Sequence, residues 1–214
     1  MKTTARMCGI VLAAGASSRM GREKALLPWP AAEGATGTLL EAAVRALRPF
    51  AAEVIVVAGR NAEKLAPEVS ACGAVMMVNP EPERGQLSSL QTGLREAMAR
   101  GWSAAAITPV DCPPLSTESL RKLQAAFEET LAVGRWAVAP ENNGRHGHPL
   151  LAGRALVEAL LAEPVTSSAR AVLRAHAERI AYVPVNDALT GFDMNTPEQY
   201  AELRDTGHRF IPDN

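Results

Sequence analysis

The stretch LAAGASSRMGREK, residues 12–24, follows an apolar run that begins at residue 8. Small residues after a buried strand let the backbone approach a ligand closely, and their N–H groups can converge on an anion. Arg19, Arg22 and Lys24 add positive charge to the same loop. Its two glycines are six residues apart and the lysine lies three beyond the second, which is neither the P-loop nor the dinucleotide-binding spacing. These residues alone indicate either an anion-binding loop or an ordinary strand end with solvated basic side chains.

Similar apolar runs recur along the chain with helix-length segments between them. We predict strands at 8–14, 54–58, 74–78, 104–110, 136–139 and 180–185, and helices at 38–49, 88–100, 117–131, 155–162 and 169–177, with a last helix opening at Thr196. Strands that are apolar on both faces and alternate with helices are typical of a largely parallel sheet covered by helices. The sequence therefore predicts an α/β fold: one Rossmann-like domain of three layers with a mostly parallel, mixed sheet.

Composition limits the classes of function. The chain has 214 residues, of which 47% are hydrophobic, so we expect residues 1–214 to form a single domain. With 22 basic and 23 acidic residues there is no global positive field to attract a nucleic acid. Three separated cysteines form neither a disulfide framework nor a zinc motif, which favours the reducing cytoplasm. We find no signal peptide or membrane span, and we interpret the small residues of 30–38 as a flexible loop.

Residues 12–24 resemble the signature loop L-A-A-G-x-S-x-R-M-G-x-x-K of the molybdenum cofactor nucleotidyltransferases, the MocA/MobA-like family. The resemblance implies a nucleotidyltransferase fold whose nucleotide-binding half spans about 1–115 and whose acceptor-binding half spans about 116–205. It also implies that this loop grips a nucleoside triphosphate. The residues concerned are Leu12, Ala13, Ala14, Gly15, Ala16, Ser17, Arg19 and Lys24.

Asp111 ends the fourth predicted strand, where ligands bind in open α/β sheets. A carboxylate there could bind Mg²⁺, although an aspartate before prolines is also a common turn former or helix cap. The family has a metal-binding aspartate followed by proline, which Asp111-Cys112-Pro113 resembles. Cys112 itself has no assignable base, and we interpret it as a small residue at the edge of the core.

Residues 191–200 resemble the family segment D-x-D-T-P-E-D, with Asn195 and Gln199 in place of two acidic residues. The resemblance makes Asp193 and Asn195 candidates for a second metal ligand. A strand-to-helix turn capped by Asn195 or Thr196 explains the same residue types without a ligand. Both interpretations stay open.

Two further segments match the family on the substrate side. Residues 83–94 resemble its G-x-x-x-S-L-x-x-G helix start, which implies that Ser88 contacts the nucleotide and that Gln86 and Ser89 contact substrate; Ser88 could instead cap the helix. Gly147-His148-Pro149 resembles a G-H-P turn that implies contact of Gly147 and His148 with the acceptor, although a histidine in such a turn is often structural. His146 is expected to be solvated.

The resemblance implies transfer of CMP from CTP to the phosphate of molybdenum-bearing molybdopterin, giving the cytosine dinucleotide and pyrophosphate. Lys24, Arg19 and Asp111 would be catalytic, with Mg²⁺ as cofactor. Guanine enzymes of the family usually carry L-A-G-G where this chain has L-A-A-G, which favours CTP. The alternatives are a guanylyltransferase of the same pathway, a cytidylyl- or uridylyltransferase for another phosphorylated acceptor, and an inactive cofactor chaperone. A molybdoenzyme or its maturation chaperone is the protein partner that this function implies.

Overall fold

The computed structural model describes residues 7–30 and 37–206. Most of its strands form one eight-stranded sheet in the order β10-β7-β9-β6-β1-β4-β5, with β8 paired to β7, while β2 and β3 form a separate two-stranded ribbon. The strands are β1 (Met7–Leu12), β2 (Pro28–Trp29), β3 (Gly37–Thr38), β4 (Glu53–Ala58), β5 (Val75–Val78), β6 (Ala104–Pro109), β7 (Ala137–Asn142), β8 (Arg145–His146), β9 (Leu150–Ala152) and β10 (Ile180–Pro184).

The centre of the sheet is parallel. β1 pairs in parallel with both β4 and β6, and β4 and β7 have parallel neighbours in β5 and β10. β9 runs antiparallel between β6 and β7 and so joins the two parallel parts into one sheet. The predicted mostly parallel, mixed sheet is confirmed.

Helices cover both faces of this sheet. Side chains of β1 alternate between the two cores: Met7 and Val11 pack with α1 and α4, whereas Ile10 packs with α3 and α5. The three-layer α/β prediction is thereby confirmed. The helices are α1 (Leu39–Leu47), α2 (Ala62–Ala71), α3 (Gln86–Ala99), α4 (Thr117–Ala132), α5 (Arg154–Ala162), α6 (Ala169–Ala175) and α7 (Pro197–Thr206).

Helix α2 and the short strands β2, β3, β8 and β9 escaped the sequence-based prediction. Helix α2 contains Pro67, a residue that normally ends a helical pattern, and its apolar face is reduced to Leu65 and Val69. Strand β9 has only three residues, all buried, directly after the Gly147-His148-Pro149 turn. Of the loop predicted at 30–38, residues 31–36 lie outside the described residues, and Gly37 and Thr38 form the short strand β3 instead.

Helix α3 lies unusually close to the sheet because of Gly93. A Cβ at this position would be 2.9 Å from Cγ2 of Val57 and 3.0 Å from Cγ2 of Ile10, so a larger residue would push the helix outward. The close approach brings the first turn of α3 to the carboxyl end of β1, where the glycine-rich loop begins.

Within 7–30 and 37–206, no helix combines the length and the apolar character needed to cross a membrane.

Candidate functional site

A cleft of about 200 Å³ opens at the carboxyl ends of β1 and β6. Its walls come from the glycine-rich loop, the end of β6 and the first turn of α3, which are far apart in sequence. The lining residues are Leu12, Ala13, Ala14, Gly15, Ser17, Glu23, Lys24, Pro82, Gly85, Gln86, Ser89, Pro109, Val110 and Asp111. The fold thus brings most of the predicted nucleotide-loop residues together with Asp111, Gln86 and Ser89.

Ser17 shapes the glycine-rich loop through its side chain. Its backbone is left-handed, with φ 49°, and its Oγ accepts a hydrogen bond from the backbone N–H of Lys24 at 3.1 Å. The same hydroxyl donates to Oε1 of Glu23 at 3.3 Å. The hydroxyl therefore closes the loop and fixes the position from which the Lys24 side chain starts.

Gly15 has no packing requirement within the described residues. A Cβ added there would have no heavy atom within 4 Å, and the backbone of Gly15 does not adopt a left-handed conformation. The protein around this position would accept a side chain without strain. The space over Gly15 faces the cleft and is available for close approach of a ligand.

Asn61, which sequence reasoning missed, clamps the loop from the β4 side. Its Nδ2 donates to the carbonyl oxygen of Ala13 at 2.9 Å and its Oδ1 accepts from the N–H of Gly59 at 3.0 Å. Gly59 has no room for a side chain, because a Cβ would lie 2.9 Å from the carbonyl oxygen of Ala14. The signal in the sequence is Gly59-Arg60-Asn61 directly after strand β4, a turn pattern that only the tertiary structure connects to the loop.

Four polar side chains converge at the mouth of the cleft. Nζ of Lys24 lies 3.1 Å from Oδ2 of Asp111 and 2.9 Å from Oδ1 of Asn195, and a guanidinium nitrogen of Arg19 lies 3.3 Å from the same Asn195 oxygen. The backbone N–H of Met194 donates to the carbonyl oxygen of Asp111 at 2.8 Å, which anchors residues 193–195 beside β6. Only 12% of the Lys24 side chain is exposed, so this ion pair is partly shielded from water.

Hydrogen bonds of residues 195–199 show how helix α7 is capped. Gln199 Oε1 accepts from the N–H groups of Asn195 and Thr196, and Thr196 Oγ1 accepts from the N–H of Gln199 at 3.3 Å. This reciprocal pattern is a capping box in which Thr196 is the cap. The cap expected at Asn195 or Thr196 is therefore at Thr196, and the Asn195 side-chain oxygen faces Lys24 and Arg19.

Asp193 is held differently. Its Oδ1 accepts a hydrogen bond from Sγ of the buried Cys112 at 3.2 Å. Burial raises the pKa of the Cys112 thiol well above its usual value, and the carboxylates of Asp111 and Asp193 add to the effect. Because a thiol with a raised pKa is a poor nucleophile, the interpretation of Cys112 as an edge-of-core residue agrees with its environment.

Ser88 and Ser89 occupy different places although they are adjacent. Both hydroxyls accept from Nδ2 of the buried Asn79, at 2.8 and 2.9 Å. Ser88 also donates to the carbonyl oxygen of Gly85, which is the residue preceding α3, so the alternative in which Ser88 caps the helix is wrong. Of the two serines, only Ser89 is among the cleft-lining residues of the described chain.

The Gly147-His148 turn packs against the segment that precedes α7. A Cβ on Gly147 would lie 2.7 Å from the backbone nitrogen of Gly191, which gives Gly147 a structural reason to be glycine. Nδ1 of His148 lies 3.2 Å from the carbonyl oxygen of Ile107 in β6. Burial lowers the pKa of His148, while Asp193 and Asp111 act in the opposite direction.

His146 differs from its prediction in one respect. It is exposed, as expected of a solvated residue, but its ring stacks on that of Tyr182 with centroids 3.6 Å apart.

The residues at the cleft mouth fit a small, hard cation. The Asp111 carboxylate and the Asn195 amide each place an oxygen within 3.1 Å of the same Lys24 ammonium, so two oxygens converge on one positive centre. The described chain contains no group of three or more His, Cys, Asp or Glu side chains that could hold a metal ion. A metal here would use one or two carboxylates and complete its shell with water or phosphate oxygens, as Mg²⁺ commonly does.

Sequence comparison identifies the family. The family model for the MobA-like NTP transferase domain matches residues 9–180. This range includes the glycine-rich loop, strand β6, Asp111 and the Gly147-His148 turn. The chain belongs to this family. The MobA-like domain thus uses its most characteristic loop to build one wall of the cleft.

Curated relatives of this MobA-like chain include proteins with two nucleotide specificities. The molybdenum cofactor cytidylyltransferase of Escherichia coli K12 is 26% identical over 198 residues, covering 92% of this chain and 94% of that protein. The molybdenum cofactor guanylyltransferase of Xanthomonas euvesicatoria is 31% identical over 201 residues, covering 91% and 93%.

Among solved structures, the Rv0371c protein of Mycobacterium tuberculosis H37Rv superimposes with a TM-score of 0.75 at 22% identity, covering 95% of this chain and 99% of that one. A manganese complex of the same protein has a TM-score of 0.68 at 20% identity, covering 94% and 99%. These likenesses show that the MobA-like chain has the fold of this group.

Proposed function

We propose that the protein transfers CMP from CTP to the phosphate of molybdenum-bearing molybdopterin, releasing pyrophosphate and forming the cytosine dinucleotide of the cofactor. The observation that carries this proposal is the convergence of Lys24, Arg19 and Asp111 at the cleft formed by the family's glycine-rich loop. Relatives of both nucleotide specificities act on the molybdenum cofactor, which supports the acceptor.

The nucleotide is proposed to lie along the loop. The backbone of residues 12–17 faces the triphosphate, with the space over Gly15 admitting it closely, while Gln86 and Ser89 contact the substrates from α3. Ser88 contributes through Asn79 and the first turn of α3, since its hydroxyl is engaged there.

Lys24 and Arg19 are proposed to bind the triphosphate and the departing pyrophosphate. Charge-assisted hydrogen bonds from both groups would stabilise negative charge that develops between the α- and β-phosphates. The acceptor phosphate has a second pKa of about 6 and is largely dianionic near neutral pH. It attacks the α-phosphorus in line, so the protein supplies positioning and charge rather than a general base.

Asp111 and Asn195 are proposed to hold Mg²⁺. When bound, the ion neutralises charge on the phosphates and orients them for displacement. Asn195 is preferred to Asp193 as the second ligand, because its oxygen shares a cation with Asp111 whereas Asp193 accepts from Cys112.

The acceptor is proposed to bind on the side of the Gly147-His148 turn. His148 lies near enough to Asp111 and Asp193 for both carboxylates to influence its pKa. Residues up to about 115 would then bind the nucleotide, and residues 116–205 the acceptor. The product would pass from this cytoplasmic protein to a molybdoenzyme or its maturation chaperone.

A guanylyltransferase is the second candidate, supported by the 31% identity to the Xanthomonas protein. Ala14 favours CTP, because the guanine enzymes usually have glycine at its position. Turnover of CTP, GTP, ATP and UTP with the same acceptor tests the choice: preference for CTP supports the proposal, and preference for GTP replaces it with the second candidate.

A further inference from the structure

The Lys24 ammonium group bridges two oxygens at the cleft mouth, one from Asp111 and one from Asn195. We propose that Lys24 is the resident cation of these oxygens and leaves them when a divalent ion binds, so that the metal ion binds strongly together with the triphosphate and weakly ahead of it. This rests on the proposed function, because it assigns the metal and the triphosphate to the same cleft.

The Asn195 side-chain oxygen already contacts two cationic side chains. An amide oxygen has two lone pairs, and here one faces Nζ of Lys24 at 2.9 Å while the other faces the Arg19 guanidinium at 3.3 Å. A metal ion that takes this oxygen displaces at least one of the two cationic side chains.

The Lys24 ammonium would repel a divalent ion bound to the same oxygens. The Lys24 ammonium lies 3.1 Å from Oδ2 of Asp111 in a place where only 12% of the lysine side chain is exposed. Since metal–oxygen distances for Mg²⁺ are about 2.1 Å, a divalent ion on the same oxygens would lie within about 5 Å of an unmoved ammonium. Repulsion between the two cations is strong in a partly shielded site, so the ammonium opposes metal binding.

A triphosphate removes this opposition. Its oxygens offer Lys24 and Arg19 new charge-assisted partners, so both side chains can turn from Asn195 and Asp111 to the ligand. The vacated oxygens are then free for the metal ion. Because coupling between two ligands is reciprocal, a metal ion that competes with Lys24 must also favour the triphosphate that takes Lys24 away.

The test measures Mn²⁺ binding to the protein without nucleotide, by the electron paramagnetic resonance signal of the free ion. Lys24→Met should tighten Mn²⁺ binding about tenfold or more, the size of effect that a charge at this distance exerts on a neighbouring ionisation. Lys64→Met on the exposed surface of α2 removes the same charge elsewhere and should leave the affinity at the wild-type value. Equal Mn²⁺ affinity in the wild-type and Lys24→Met proteins would overturn the proposal.

A second variant tests whether the gain in Mn²⁺ affinity arises at Asp111. Adding Asp111→Asn to Lys24→Met should make Mn²⁺ binding weak again. A gain in Mn²⁺ affinity that survives this change would arise at another site and would contradict the proposal. Lys24→Gln provides the same comparison if the methionine variant is poorly folded by circular dichroism. Pyrophosphate release by the wild-type protein is measured separately, so a failed transferase assay and an unchanged Mn²⁺ affinity are different results.

Discussion

Single residues decide how closely a ligand can approach the loop. Gly15 and Gly59 are both glycines of the cleft region, yet they differ in what surrounds them. Gly15 has open space and an ordinary backbone, whereas Gly59 packs against the carbonyl oxygen of Ala14. The fold therefore explains the second glycine but not the first, for which we propose close approach of a ligand as the reason.

The Gly15→Ala variant separates these roles. We expect its thermal unfolding to match the wild type and its KM for the nucleotide to rise by about tenfold or more, the usual effect of one misplaced carbon in a close-fitting site. Gly59→Ala should instead lower the unfolding temperature, because its Cβ would meet Ala14 at 2.9 Å. Unchanged nucleotide KM in Gly15→Ala would mean that the ligand does not pass over this residue.

Thiol reactivity follows from the pKa values of the three free cysteines. Burial raises the pKa of Cys8 to about 12 and that of Cys112 well above its usual value, while the half-buried Cys72 is raised less. A raised pKa lowers the thiolate fraction at a given pH, so iodoacetamide at pH 8 should modify Cys72 first and reach the other two only on unfolding. Peptide mass spectrometry measures the order, and early labelling of Cys112 would contradict its assigned environment.

At the scale of elements, the loop after β1 depends on the turn after β4. Asn61 donates to Ala13 and accepts from Gly59, so it holds the glycine-rich loop in a fixed position relative to the sheet. The loop after β6 depends in the same way on the segment before α7, through the Met194–Asp111 hydrogen bond. The site is thus assembled by four connections at one edge of the sheet.

We expect Asn61→Ala to raise KM for the nucleotide with a smaller change in kcat, because the loop loses its clamp while Lys24 and Asp111 remain. The lost hydrogen bonds should also cost about 1–2 kcal/mol of unfolding free energy. Arg60→Ala is the matched control, since among the described residues Arg60 forms only an exposed ion pair with Glu83. A clamp role is contradicted if both variants have the same nucleotide KM.

The sequence predicted the features that depend on residues close together in the chain, and missed those that depend on tertiary contacts. The α/β class, the mixed sheet and the cap at Thr196 followed from local patterns that the structure confirms. Helix α2 was missed because Pro67 breaks the expected pattern, and β9 because three buried residues carry no periodicity. Asn61 and the Asn79 contacts of Ser88 and Ser89 could not be predicted, since they join segments through tertiary packing alone.

At the scale of the whole molecule, the segment after the edge strand β10 is tied to the start of α4, which follows the central strand β6. Asp187, on the segment after β10, is buried and accepts hydrogen bonds from the N–H groups of Ser116 and Leu189 and from the Ser119 hydroxyl. It thereby fixes the start of α4, directly after the proline-rich turn that follows Asp111. The position of the metal-binding candidate therefore depends on a carboxylate far away in sequence.

Asp187→Ala should destabilise the whole fold by roughly 2–4 kcal/mol, because three donors lose their acceptor and two of them, on Ser119 and Leu189, are buried. Asp187→Asn keeps part of the hydrogen bonding and should lose less. Urea unfolding followed by circular dichroism measures both values. If Asp187→Ala unfolds at the same urea concentration as the wild type, the hydrogen bonds that join the segment after β10 to α4 do not stabilise the fold.

The most direct test of the central claim is pyrophosphate release by the purified protein with CTP, Mg²⁺ and molybdenum-bearing molybdopterin. We expect release that requires the acceptor, prefers CTP to GTP, ATP and UTP, and falls by about 10²–10³-fold or more in the Asp111→Ala variant. Acceptor-dependent release that Asp111→Ala leaves unchanged, or no release with any of the four nucleotides, would contradict it.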